Sequence, residues 1–142
     1  MNLNLNNLNF GAKYTVWGKQ TPIETAQVYD SMPKKQADKA SMAVQAQEYF
    51  ETPFIQNCIA QLPEDTFVRL HTGVLDGENK KEDKVLGFVP FVSFETRTVN
   101  EQLAVAKKLN GGDLLKFSLD ETGNLNKQEI NKWFASILNY FS

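Results

Sequence analysis

The densest apolar stretch of the chain, residues 85–94, most constrains its fold. It reads Val-Leu-Gly-Phe-Val-Pro-Phe-Val-Ser-Phe. At about 1.5–3 kcal/mol for each large apolar side chain, its burial contributes roughly 10–20 kcal/mol, which is comparable with or above the net stability of a domain. β-branched and aromatic residues favour a strand, whereas Pro90 cannot donate a hydrogen bond to a sheet. We therefore predict a core strand that either bends at Pro90 or turns that position toward a free edge.

The length and composition predict one domain. A chain of 142 residues with 42% hydrophobic content can bury one core and is short for two. We assign residues 8–142 to this domain. Residues 1–7 are expected to be a loose segment, because Leu3 and Leu5 alternate out of register with the residues that follow.

The charge and the cysteine content exclude several classes of protein. A net charge of −2 gives no overall attraction to nucleic acid or anionic lipid. The single cysteine excludes an intramolecular disulfide and a multi-cysteine zinc site. Neither a secretory leader nor an apolar run of membrane-spanning length is present. We expect a soluble cytoplasmic protein with no membrane contact, metal or cofactor. The excess of lysine over arginine and the abundant asparagine are typical of proteins from an AT-rich bacterial or phage genome.

Three further segments alternate apolar and polar residues, which is the pattern of a strand with one buried face. They are residues 8–17, 66–75 and 115–119. The turn signal Asp76-Gly77 predicts that the second of these strands returns antiparallel into residues 85–94.

Capping residues and prolines predict the helices. One begins at Thr21-Pro22, and residues 34–51 form the next, with a weakly apolar face of Ala37, Ala40, Val44 and Gln47. A third follows Thr52-Pro53 with an apolar stripe that includes Phe54 and Cys58. A fourth begins at Thr98, with Leu103, Ala106 and Leu109 facing the core, and the last begins after Asn126 with a wide stripe around Trp133.

These elements predict an α+β fold with a four-stranded, mostly antiparallel sheet. Their order matches the βαββαβ order of ferredoxin-like folds, with an expanded first helical crossover and an extra C-terminal helix. A different α+β topology remains the alternative, because the first crossover is long for a single helical connection.

The central strand offers the first candidate site. Gly87-Phe88 and Phe91-Val92-Ser93-Phe94 resemble the aromatic ribonucleoprotein motif on the third strand of RNA-recognition domains. The sequence departs from that motif at Leu86, where the motif has a basic residue, and at Val89-Pro90, where it has one residue. The resemblance implies that single-stranded RNA stacks on Phe88, Phe91 and Phe94, which are the candidate binding residues.

Two other patterns invite a chemical interpretation. Residues 118–129 match an EF-hand calcium loop in part, but Gly111-Gly112 leaves no room for its entering helix, so a strand, a turn and a helix cap are predicted instead. Cys58 and His71 are the only thiol and the only imidazole, and would form a nucleophile and base only if adjacent. Cys58 lies within an apolar stripe, which is typical of a core residue.

No pattern specifies a reaction. We therefore expect a non-enzymatic binding protein whose partner is another protein or a second copy, reached through a sheet edge or an exposed helix face. A nucleic-acid-binding module and a small Cys/His enzyme are the alternatives.

Overall fold

The computed structural model describes residues 11–19, 34–73, 89–109 and 111–142. These residues form one four-stranded sheet in the spatial order β1-β2-β3-β4. β1 and β2 are parallel, and the other two pairings are antiparallel. The strands are β1 Lys13–Trp17, β2 Phe67–His71, β3 Phe91–Glu95 and β4 Leu114–Lys116. The helices in the described ranges are α1 Lys34–Phe50, α2 Pro53–Ala60, α3 Val99–Lys108 and α4 Lys127–Tyr140.

The predicted α+β class is confirmed, as is the order of strands and helices along the described chain. The likeness to ferredoxin-like folds lies in this chain order. In a split βαβ unit another strand separates the two parallel strands. Here β1 and β2 are direct neighbours in the sheet.

The two middle strands form the centre of the core. Val68 pairs with Phe94 and Leu70 pairs with Val92 across β2 and β3, and all four side chains have 0% exposure. Because side chains alternate between the faces of a strand, these four residues define one face of the sheet as the inner one. Side chains from the described helices pack on that face, and they include Phe50, Ile55, Ile59, Val105, Ile130, Trp133, Phe134 and Ile137.

Of the two alternatives predicted for Pro90, a bend or a free edge, the free edge is wrong. β3 lies between β2 and β4, and it begins at Phe91, directly after the proline. The Pro90 carbonyl accepts a hydrogen bond from the Phe117 amide at 3.0 Å. A proline is tolerated there because the strand's own amide ladder starts one residue later. Residues 85–88, the turn at Asp76-Gly77, the helix predicted after Thr21 and the segment 1–7 lie outside the described residues.

Helix α1 is buried more deeply than its weakly apolar sequence predicts. Ala40, Ala43, Ala46 and Phe50 have no exposed surface. Small side chains let the helix approach its neighbours closely, and the Phe50 ring then contacts the rings of Tyr14, Phe117 and Phe134. The weakly apolar face predicted for this helix is therefore part of the core, where it carries Ala40 and Gln47 as buried residues.

The inward faces of two other helices differ from the prediction by one or two residues. Helix α3 buries Val105 and Leu109, whereas Leu103 is 56% exposed. Helix α2 buries Ile55, Cys58 and Ile59 but leaves Phe54 in solvent. Short helices with several apolar residues offer more than one possible stripe, and contact with the sheet selects between them.

The predicted side-chain caps at Thr98 and Asn126 are confirmed, whereas Thr52 occupies the N-cap position of α2 without a side-chain cap hydrogen bond. The Thr98 hydroxyl accepts a hydrogen bond from the Glu101 amide at 3.1 Å, and the Asn126 side chain accepts one from the Glu129 amide at 3.4 Å. Helix α4 then buries its wide stripe, including Trp133, whose indole N–H donates to the Gly112 carbonyl at 3.0 Å. Gly112 has φ +82°, a left-handed conformation that favours glycine.

Replacement of Trp133 tests whether α4 completes the core. Trp133→Ala should lower the free energy of unfolding by about 3–5 kcal/mol, because it empties a buried site and removes the bond to Gly112. Trp17→Ala, at an exposed position, should lower it by less than about 1 kcal/mol. Urea unfolding followed by circular dichroism measures both values. Equal losses for the two variants would contradict a core role for Trp133.

Candidate functional site on the outer sheet face

The sheet face opposite the helices, called the outer face from here on, is the candidate site. It consists of the side chains that alternate along each strand with those facing the core, and that therefore point away from the helices. They are Lys13, Thr15, Trp17, Phe67, Arg69, His71, Phe91, Ser93, Glu95, Leu114 and Lys116. Each of these residues is exposed or half-buried, whereas the core-facing residues of β2 and β3 are fully buried.

Three aromatic rings form a continuous row across this face. Register places Trp17 beside His71 and His71 beside Phe91. The His71 and Phe91 rings stack with centroids 4.2 Å apart and planes 13° apart, and the Trp17 ring is 5.4 Å from His71. Lys116 follows Phe91 at the end of the row. The strand register thus brings together rings from three separate parts of the chain.

Arg69 lies beside this row and is held in place from several sides. Its Nε is 2.9 Å from a carboxylate oxygen of Glu95. Its guanidinium carbon lies 5.5 Å from the Trp17 ring centre and 5.0 Å from that of Phe67. These contacts order a long side chain that is otherwise costly to fix on binding. The outer face carries three cationic side chains, including Lys13, which lies over Phe67, and one carboxylate.

Two large apolar side chains of the face are open to solvent. Trp17 is 54% exposed on β1, and Leu114 is 39% exposed on β4. Tryptophan and arginine are the residue types that are enriched at binding hot spots, and here an exposed tryptophan lies next to an ordered arginine.

A cleft of about 450 Å³ adjoins the outer face where β3 leads into α3. Ser93, Glu95 and Leu114 line both the cleft and the face. Gln102 fixes its shape, because its side-chain amide donates to the Phe94 carbonyl at 2.8 Å and to the Asp113 carboxylate at 2.6 Å. Its carbonyl oxygen also accepts from the Thr96 amide at 2.6 Å. The cleft wall is therefore preformed.

Of the three phenylalanines predicted to bind a ligand, the structure describes Phe91 and Phe94 and places them on opposite faces of the sheet. Phe94 points into the core, has no exposed surface and contacts Phe141 edge-on. Phe91 points to the outer face and stacks on His71. Phe88 lies outside the described residues. A regular strand puts residues three apart on opposite faces, so Phe91 and Phe94 do not form one stacking platform.

The thiol and the imidazole are also on opposite sides of the sheet. Cys58 belongs to the core cluster, and His71 lies on the outer face. Burial raises the pKa of the Cys58 thiol, which disfavours the nucleophilic thiolate. Tyr14 also packs against the core, where burial raises its pKa, and its hydroxyl has no hydrogen-bond partner among the described atoms. The predicted nucleophile and base are not brought together.

The loop that partly matches an EF-hand forms the predicted turn and helix cap. One carboxylate oxygen of Asp120 accepts hydrogen bonds from the Thr122 hydroxyl at 2.7 Å and the Asn124 amide at 3.0 Å, and these bonds lower the Asp120 pKa. The Glu129 carboxylate accepts one from the Ser118 hydroxyl at 2.7 Å. Within the described ranges, no group of three or more His, Cys, Asp or Glu side chains could hold a metal ion.

The sequence interpretation did not single out Trp17, Arg69 and Lys116 as site residues. Their outward parity was readable from the alternation of each strand. Their proximity was not, because it depends on which strands are neighbours and in what register.

Comparison with known proteins adds no assignment. No family model, no curated protein and no solved structure matches the chain. Among the described helices, none has the length and apolar character needed to cross a membrane. The residues of the outer face are therefore the basis from which a function can be inferred.

The pH dependence of stability tests the environment of His71, the single histidine of the chain. Burial lowers the pKa of His71, the Glu95 carboxylate opposes this shift, and Arg69 adds to it. The folded state therefore favours the neutral His71 ring over the protonated one. The stability that this ring contributes is fully present above the unfolded-state pKa of about 6.5, and it is lost as the pH falls through the lower pKa of the folded state. Urea unfolding at several pH values around 6 should show this loss. His71→Gln should remove it, and an unchanged pH slope in that variant would contradict the assigned environment.

Proposed function

We propose that this chain is a non-enzymatic binding protein that recognises a protein partner through its outer face. The observation that carries the proposal is the aromatic row of Trp17, His71 and Phe91, with Trp17 54% exposed at its end. A ring that remains in water while its neighbours are ordered gains apolar burial on binding and loses little conformational freedom.

The composition of the outer face supports a protein as the partner. Tryptophan and arginine are the residue types that most often dominate protein interfaces, and here Trp17 and Arg69 are in contact. Interfaces also combine an apolar centre with a polar rim. Lys116 supplies a charged group at the β4 end of the ring row, and Lys13 supplies one at the other end of β1, beside Phe67.

Single-stranded nucleic acid is the competing class of ligand. The rings and three cations of the face favour it in part, because bases stack on aromatic side chains and phosphates attract cations. Two observations favour protein instead. The Arg69 charge is paired with Glu95, and the chain as a whole carries a net charge of −2. The enzyme alternative gains no support, since Cys58 and His71 lie on opposite faces of the sheet.

Affinity capture with matched variants tests the proposal. The tagged chain is incubated with lysate from its source organism, in parallel with Trp17→Ala and Phe54→Ala. The control is well matched, because Phe54 is 55% exposed but lies on α2. A protein retained by the wild type and by Phe54→Ala should be depleted about 10-fold or more with Trp17→Ala, as expected for a hot-spot tryptophan.

Two results would contradict the proposal. In the first, every captured protein is retained equally by the two variants, which would place recognition elsewhere. In the second, the material that depends on Trp17 is nuclease-sensitive nucleic acid, which would establish the competing class of ligand.

A further inference from the structure

We infer that the outer face binds a second copy of this chain, so that two outer faces pack against each other in a two-fold dimer. This inference rests on the proposed function, because it names the partner of the same surface. It is carried by the distribution of charges and rings over the four strands, which makes the face complementary to itself.

The sheet order determines which residues meet in such a pair. A two-fold axis parallel to the strands and between β2 and β3 lays β1 of one copy over β4 of the other, and β2 over β3. Rows across the sheet then stay aligned, as in aligned packing of two sheets. The exposed Trp17 therefore faces the exposed end of the row in the second copy, which is Lys116.

The opposed side chains are complementary along the whole row. Lys116 of each copy lies over the Trp17 ring of the other, which is a cation–π arrangement. His71 lies opposite Phe91, repeating between copies the ring contact that each copy already makes internally. Both exposed edges of the row are thereby covered.

The charges of the middle strands also fit this axis. Arg69 lies opposite Ser93 of the second copy, one row from that copy's Glu95. Each guanidinium thus has its own carboxylate and the carboxylate of the second copy one row away, both toward the same end of the strands, and no two like charges are directly opposed. A two-fold axis perpendicular to the strands and passing through the row of Arg69 and Ser93 would instead place Arg69 of one copy opposite Arg69 of the other, which is unfavourable.

The size of the face indicates a reversible dimer. Four strands about 4.8 Å apart, with up to five residues of about 3.3 Å each, cover roughly 300 Å² on each copy. Stable interfaces bury about 800 Å² on each partner. We therefore expect a dissociation constant of about 1 µM or weaker.

Sedimentation equilibrium of the purified chain over a range of about 10 µM to 1 mM tests the inference. The wild type and Phe54→Ala should show the same monomer–dimer equilibrium. Lys116→Ala should weaken it about 5- to 30-fold, because two cation–π contacts are lost, and Trp17→Ala should weaken it at least as much. Circular dichroism checks that each variant is folded.

A double-variant cycle identifies the contact itself. Within one copy, Trp17 and Lys116 are three strand spacings apart, which is about 14 Å. If the two side chains do not meet across the interface either, the effects of the two substitutions on the dissociation constant should be additive. In the inferred dimer they do meet, and Trp17→Ala with Lys116→Ala should weaken the dimer no more than Trp17→Ala alone.

Three results would overturn the inference: a monomer at every concentration, a dimer that neither variant weakens, and additive effects of the two substitutions. The first is distinguishable from failure of the proposed function. If the chain is monomeric but captures another protein in a way that depends on Trp17, the outer face is still a recognition surface. Only the inference that its partner is a second copy then fails.

Discussion

The structure depends on the alternation of side chains in its two middle strands. Val68 and Leu70 on β2 meet Phe94 and Val92 on β3, and all four are completely buried under the described helices. Burial of four such side chains contributes roughly 6–12 kcal/mol, so a one-residue slip of register would be strongly unfavourable. The same constraint determines which residues form the outer face, because the residues that alternate with these four must then face away from the core.

The two tryptophans show how differently the two sides of the sheet use the same residue type. Trp133 lies in the core, where its ring fills space and its N–H reaches the Gly112 carbonyl. Trp17 lies on the outer face, where Arg69 and His71 contact its ring but much of it stays in water. The first contributes to folding, whereas the second is the residue through which we propose that the chain binds its partner.

Local patterns predicted the elements well and their arrangement less well. The inward parity of Tyr14 and Leu70 and the caps at Thr98 and Asn126 follow from neighbouring residues alone, and the structure confirms them. The adjacency of β1 and β2 and the central position of β3 depend on contacts between distant parts of the chain. The aromatic row was invisible for the same reason, since it exists only once three strands are in register.

The fluorescence of the two tryptophans directly measures whether the outer face is exposed to solvent. In Trp133→Phe the emission reports Trp17 alone, and in Trp17→Phe it reports Trp133 alone. At low protein concentration, where the inferred dimer dissociates, Trp17 should emit at long wavelength and be quenched readily by acrylamide, whereas Trp133 should emit at short wavelength and resist quenching. Short-wavelength emission and strong protection of Trp17 in the monomer would contradict the account, because another part of the chain would then cover the outer face.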